Sequence, residues 1–332
     1  MGYGNYDKDA YREITSTRVD KPKEEIFTQR TLFGPMDPRG LKVRESRDSD
    51  VHPNSIGIIF ALDETGSMGD IPELLARKEL PTFMETLIDG KFVADPQVML
   101  MGIGDATTGE AAPLQVGQFE CEAGLMDKWL TGIFLVGQGG GNGGESYDLA
   151  FYAAARHTSM DCWEKRGKKG YLFVTGDEPH LGGVQADIVT QLIGKGPKQG
   201  IGMAEIIKEA QKTFHCFFLI PDQARRSYKG CEKVWRAVLG DNVICMDAPQ
   251  DTSVVAATLI GLTEGTLVDL SAARKKLAGL GKSKAQIDRV IKAVKAYAGT
   301  LPDRGSSGDD VGDDAGDEAP APKGGGKKPG RI

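Results

Sequence analysis

Through the middle of the chain, continuous apolar runs alternate with stretches whose apolar residues recur every three or four positions. Residues 56–62 (IGIIFAL) form one such run, β-branched at Ile56, Ile58 and Ile59. A strand buried on both faces carries this pattern, without polar alternation. Residues 98–103, 171–175, 215–220 and 243–246 repeat it, and residues 115–119 make a shorter candidate. Between them, Ile71, Leu74, Leu75, Leu80, Phe83, Met84 and Leu87 fit a helical period over residues 70–88, interrupted at Pro81. Further helices are predicted over 122–135, 146–157, 203–213, 225–239 and 254–262. This alternation predicts an α/β fold: a doubly wound, mostly parallel sheet with helices on both faces. Its crossovers should be right-handed. Ligands in such sheets bind beyond the carboxyl ends of the strands, where the strand order reverses.

The flanks read differently. Residues 1–55 hold ten acidic and ten basic residues with little periodicity, and GPMDPRG at 34–40 is turn chemistry. They are expected to form an irregular arm, with Ile26, Phe27, Leu32 and Phe33 as its possible anchors. The folded body is expected over 56–265. Residues 266–299 predict a helical extension, two amphipathic helices over about 267–279 and 283–298, with Leu277, Leu280, Ile287, Val290, Ile291 and Val294 on their apolar faces. Their polar faces set Arg274, Lys275, Lys276, Lys282, Lys284, Arg289, Lys292 and Lys295 against Asp269 and Asp288, a basic surface that invites the acidic run at 309–318 to fold back. Residues 300–332, rich in Gly and charge and without an aromatic residue, are expected to be a disordered tail.

Hydrophobic residues are 40% and charged residues 27% of the chain, which excludes a collagenous or wholly disordered protein. A net charge of −6 speaks against nucleic acid as the partner. No apolar run reaches the roughly 20 residues of a membrane span, and the polar first 30 residues lack a signal peptide's apolar core. A cytoplasmic location is expected. The five cysteines, odd in number and without a C-x-x-C pair, fit reduced thiols there. The four histidines form no zinc-type spacing.

Chemistry is concentrated at the predicted strand ends. The first strand runs into Asp63-Glu64-Thr65-Gly66-Ser67, which sets one carboxylate and two hydroxyls two residues apart around a glycine turn. Hard cations such as Mg²⁺ take oxygen ligands and keep several waters. A glycine-rich segment, residues 137–144, leads into Glu145 and Ser146 ahead of a helix, and Asp177-Glu178-Pro179-His180 follows the strand at 171–175.

With these motifs the chain resembles the von Willebrand factor A (vWA) family, in its bacterial intracellular branch, over roughly residues 56–250. That family's metal-ion-dependent adhesion site (MIDAS) uses D-x-[ST]-x-S after the first strand, matched by Asp63, Thr65 and Ser67, and an Asp after the fourth strand, matched by Asp177. Its middle threonine falls near Asn142, whose carbonyl oxygen is also a hard ligand. The resemblance implies a metal site of Asp63, Thr65, Ser67, Asn142 and Asp177 for Mg²⁺, or Mn²⁺ or Ca²⁺. The hydroxyls would bind directly and the carboxylates often through water. It also implies metal-dependent protein–protein recognition or assembly, with a partner Asp or Glu completing the metal, and a MoxR-type AAA+ ATPase as a partner class.

Plainer readings stand beside these. Asp63 with its hydroxyl neighbours can cap a helix, Asp177 with Pro179 can be a turn, the glycines can be a connection, and Glu145 suits a helix start through its dipole. Catalytic motifs fit poorly. G-x-G-x-x-G at 139–144 does not follow a clear strand, Gly-Glu-Ser stands where a Walker loop needs Gly-Lys-Ser/Thr, and residues 65–69 lack the first glycine of a nucleophile elbow. The chain is therefore not expected to be an enzyme. The alternatives are a metal-dependent phosphohydrolase with Asp63 as nucleophile, although Thr65 stands where such enzymes carry a second Asp, and a structural subunit clasped by its arm.

Overall fold

The computed structural model describes residues 4, 6–18, 20–68, 70–74, 79–137, 143–221 and 230–304. Its centre is a six-stranded sheet of β1 (Ser55–Asp63), β2 (Asp95–Ile103), β3 (Leu114–Val116), β4 (Gly170–Thr175), β5 (Phe214–Ile220) and β6 (Val243–Cys245). The spatial order is β6-β5-β4-β1-β2-β3, and every neighbouring pair is parallel except β2 with β3. Helices cover both faces, as the alternation predicts. The direction of winding reverses between β1 and β4, so the crevice for a ligand opens at their carboxyl ends.

All nine residues of β1 are buried, the consequence of a strand flanked on both edges and covered on both faces. Phe60, Phe173 and Phe217 stand in register on β1, β4 and β5. Their rings stack at 5.1 and 5.3 Å, and Phe83 closes on Phe60 edge-on at 4.9 Å. Cross-strand aromatic ladders of this kind add to burial through their offset geometry.

The helices of at least eight residues are α1 (Lys8–Ser16), α2 (Leu80–Gly90), α3 (Ala123–Gly132), α4 (Asp148–Arg156), α5 (Ala186–Ile193), α6 (Met203–Ala210), α7 (Cys231–Leu239), α8 (Thr252–Glu264), α9 (Leu270–Gly279) and α10 (Lys284–Ala298). The expected helix over 70–88 is a short turn, Ile71–Leu74, followed by α2. Pro81 opens α2 instead of interrupting it, because the first helical turn has no use for the missing N–H. Of the helix expected over 225–239, residues 225–229 lie outside the described residues.

The arm, read as irregular, contains α1. Asp7 caps it by accepting from the backbone N–H of Asp9 and Ala10, both at 2.9 Å. Lys8 and Arg12 reach Asp89 and Glu85 of α2, and Arg18 reaches Asp127 of α3. Tyr11, Ile26, Phe27 and Met36 are buried, whereas Leu32 and Phe33 are half-buried. Arg44 donates to the Val116 carbonyl at 3.1 Å, so the arm covers part of the β3 edge, where open backbone groups would otherwise invite pairing.

Both predicted C-terminal helices form. Ile287, Val290, Ile291, Val294 and Tyr297 bury one face of α10, and the Tyr297 ring meets Phe217 edge-on at 5.0 Å. The basic face is more compensated than the sequence suggested, because the body contributes two further carboxylates. Arg289 makes a forked pair with buried Asp251 at 2.6 and 3.0 Å, and Lys292 reaches Asp247 at 2.6 Å. Arg289→Ala is expected to cost about 2 kcal/mol, since it strips two charge-assisted bonds from a carboxylate that water barely reaches. Arg274→Ala should cost far less, because its partner Asp288 is solvent-exposed. Urea denaturation of the two variants checks the contrast. The proposed folding back of the acidic run falls on residues 305–332, outside the described residues.

Candidate functional site

Asp63 ends β1 with no solvent exposure. Its Oδ1 accepts from the Thr65 backbone N–H at 2.9 Å and from the Thr65 hydroxyl at 2.6 Å, the turn that an Asp-x-Thr sequence favours. Its Oδ2 accepts from the Tyr147 hydroxyl at 2.5 Å. Leu62 pairs with Thr175, so Asp63 and the buried Asp177 stand at the heads of neighbouring strands, on the two sides of the switch point. Gly176 has to be glycine here, because a Cβ would overlap the Tyr147 phenol. Of the five residues expected in a metal site, the structure thus brings Asp63 and Thr65 into contact and sets Asp177 beside them. Ser67 lies in the 3₁₀ turn Gly66–Met68, and Asn142 lies outside the described residues.

The same turn occurs again at the head of β2, where sequence reasoning did not look. Asp105 Oδ1 accepts from the Thr107 backbone N–H at 2.8 Å and from its hydroxyl at 2.6 Å. The signal was legible: Asp105-Ala106-Thr107 repeats Asp63-Glu64-Thr65 one strand later. The end of the glycine-rich segment runs between the loops after β2 and β4. The Glu145 N–H donates to the Pro179 carbonyl at 3.1 Å, the Ser146 N–H to the Gly104 carbonyl at 3.2 Å, and the Ala106 N–H to Ser146 Oγ at 3.0 Å. A Cβ on Gly144 would sit 2.7 Å from the Pro179 carbonyl, so only glycine lets this segment lie so close to the loop after β4.

The loop after β4 is held from below. The Trp235 indole N–H donates to the Glu178 carbonyl at 3.0 Å, and its ring stacks on Phe218 at 3.8 Å and meets Tyr147 and His180 edge-on. On the other side, Gln115 of β3 donates to Glu64 Oε2 at 2.5 Å and to the Phe134 carbonyl at 2.9 Å. Tyr147, Glu64, Gln115 and Trp235 escaped the sequence reading, since each acts across a long sequence separation.

Electrostatics dominate this end of the molecule. Burial pushes the Asp63 carboxyl up to about 7, against the opposing bonds from Thr65 and Tyr147, with Asp177 adding repulsion. Burial raises Glu145 to about 9, with further repulsion led by Asp63 and then Asp105. Asp148 rises to about 7 and Glu64 well above the usual range, again through burial first. These groups hold protons in the folded protein that the unfolded chain has released. Their contribution to stability is therefore largest below about pH 4 and falls as pH rises towards 7 for Asp63 and Asp148 and 9 for Glu145. His215, pushed by burial to about 4, and His157 and His180, also lowered by burial, oppose this fall until the unfolded imidazoles have lost their protons, at about pH 7.5. In EDTA the melting temperature should therefore fall between about pH 7.5 and 8.5. A flat or rising profile would show that these carboxyls titrate normally.

Among the described residues, no three His, Cys, Asp or Glu side chains are arranged to hold a metal ion directly. The oxygens present instead combine hydroxyl and carboxylate groups, a set for a hard cation that keeps waters between itself and the acids. Both Asp63 oxygens already accept from neutral hydroxyls, which suits contact through water. The buried oxygens Glu64 Oε1 and Glu145 Oε2 have no hydrogen-bond partner. Carboxyl oxygens left without a donor beside Asp63 are ones that a cation would satisfy once it displaces their protons.

No family model matches the chain, and no curated protein matches it. Solved structures give distant likenesses. The pilus adhesin SpaC from Lactobacillus rhamnosus GG aligns with a TM-score of 0.42 and 12% identity over 66% of this chain and 31% of the adhesin. Proximal thread matrix protein 1 from the mussel byssus gives 0.39 and 9% over 69% and 51%. An aerotolerance-related membrane protein from Bacteroides fragilis gives 0.29 and 17% over 55% of this chain and 99% of that protein. The chain thus spans less than a third of the adhesin's length. Among the described residues no helix is long and apolar enough to cross a membrane.

Proposed function

We propose that the chain is a vWA-type protein-recognition domain that holds a divalent cation at the head of its sheet and meets a protein partner there. Mg²⁺ is the cation of choice, with Mn²⁺ or Ca²⁺ as substitutes. Asp63, Thr65, Ser67, Asn142 and Asp177 would hold it, the set that the sequence resemblance implies. The observation that carries the reading is the Asp63–Thr65 turn at the carboxyl end of β1, next to Asp177 at the switch point. The cation supplies an electrophilic contact point, and the chain's residues orient it and shield it from bulk water. A MoxR-type AAA+ ATPase is the partner class that the sequence resemblance suggests. Catalysis by Asp63 is less well supported, because both of its oxygens are engaged and it has no solvent exposure.

Affinity capture from the native host tests the proposal. A partner should be retained with Mg²⁺ and lost with EDTA or with Asp63→Asn. Equal retention in all three would place recognition elsewhere. Mg²⁺-dependent hydrolysis of a phosphate ester, abolished by Asp63→Asn, would favour the phosphohydrolase.

A further inference from the structure

We infer that Cys121, His52 and Asp95 form a thiol site at the amino end of the sheet that takes an acyl group from an ester or thioester, and that the arm keeps it covered with the Gly4 peptide. The cation reading concerns the opposite end of the sheet, and neither depends on the other. Asp95 opens β2, His52 lies in the loop before β1, and Cys121 stands between Glu120, which bridges to Val98 of β2, and the start of α3. His52 Nδ1 lies 3.3 Å from Asp95 Oδ1, and its Nε2 lies 3.5 Å from Cys121 Sγ. A thiol nucleophile needs this order: a base within reach of the thiol, and a carboxylate that orients the base. The parts are held in place. Asp95 Oδ2 accepts from the Asn54 N–H at 2.8 Å, and the backbones of Ser49 and His52 bond each other at 3.0 and 3.1 Å.

The arm closes the site. The Cys121 thiol donates to the Gly4 carbonyl at 2.8 Å, and the same oxygen lies 2.6 Å from His52 Nε2. A carbonyl only accepts, so with Gly4 in place the thiol hydrogen is drawn away from the imidazole. Cys121 is 2% exposed, and burial pushes its thiol up to about 11, which keeps it unreactive. A peptide carbonyl resting against thiol and imidazole also shows the ligand class, since a substrate carbonyl would take its place. With the arm lifted, His52 Nε2 takes the thiol proton and the sulfur attacks the carbonyl carbon. The new S–C bond forms, the bond from that carbon to the leaving oxygen or sulfur breaks, and His52 passes the proton to the leaving group. The acyl group stays on Cys121 as a thioester, without any change of oxidation state.

The test uses the full chain with p-nitrophenyl acetate, read by p-nitrophenolate release and by mass spectrometry of the acetylated cysteine. Gly4→Val opens the site, because a Cβ on Gly4 would meet Glu122 Cβ at 2.9 Å and push the end of the arm away. It should acetylate Cys121 at least about 10-fold faster than the unaltered protein, as the thiolate becomes accessible. His52→Ala added to Gly4→Val should lose about 100-fold of that rate, the lower range for a general base. Asp95→Asn in the same background should slow it about 10-fold or more by turning the imidazole, with altered nitrogen-15 shifts of His52 as the sign. Acetylation of Cys121 in Gly4→Val no faster than in the unaltered protein, or no faster than that of the half-buried Cys245, overturns the inference. So does an unchanged rate without His52. Should the His52→Ala protein not fold, Asp95→Asn decides: an unchanged rate and unchanged shifts count against the inference, and a loss with shifted resonances supports it.

Discussion

Deletion of residues 1–43 is expected to abolish cooperative folding. The arm contributes Tyr11, Ile26, Phe27, Met36 and Leu41 to the core, each no more than 9% exposed. Burying a large apolar side chain stabilises by about 1.5–3 kcal/mol, so the five together contribute at most about 15 kcal/mol, and roughly 10 kcal/mol once the residual burial of the unfolded chain is allowed for. Whole domains are stable by only about 5–15 kcal/mol. The deletion also strips the Arg18 pair from Asp127. Circular dichroism melting of the truncated chain should show no sharp transition, whereas Tyr11→Ala alone should lose about 3 kcal/mol and still fold. A truncated chain that melts cooperatively within a few degrees of the full one would make the arm a dispensable strap.

Trp235→Ala should have the second largest effect, and it should reach the site. Trp235 is wholly buried in α7, stacked on Phe218 of β5. Truncating a core aromatic residue costs about 3–5 kcal/mol. Its N–H is also a prop for the loop that carries Asp177, through the Glu178 carbonyl. Loss of stability and loss of cation affinity should therefore occur together. Trp235→Phe separates them. It keeps most of the packing but not the hydrogen bond, so it should cost only about 1–2 kcal/mol while still weakening the cation site. Unchanged affinity in Trp235→Phe would show that the loop stands without its prop.

The strands were the most legible part of the chain. Runs such as 56–62 and 215–220 are continuous because β1 and β5 are covered on both faces, so the period-2 signal vanishes and length alone marks a strand. The direction of β3 was not legible, since nothing in Leu114–Val116 states that the chain returns antiparallel beside β2. The helix α1 was hidden for another reason: one buried residue, Tyr11, and several charged contacts hold it, so no apolar stripe shows. The site divides in the same way. Asp63 and Thr65 could be found because their interaction is local. Tyr147 could not, because its partner Asp63 lies 84 residues away and a tyrosine before a helix reads as ordinary packing. The excess charge assigned to the C-terminal helices was too high, because Asp247 and Asp251 belong to the preceding segment and meet α10 only in the fold.

Anomalous scattering from crystals of the full chain grown with Mn²⁺ tests the cation site most directly. The expected result is one strong peak at the carboxyl ends of β1 and β4, within water-bridged reach of Asp63 and Asp177 and in contact with the Thr65 hydroxyl. Crystals of Asp63→Asn grown in the same way should lack it. Ordered density for these side chains with no peak between them, at Mn²⁺ concentrations well above those of the cell, would contradict a cation-dependent recognition site at the head of this sheet.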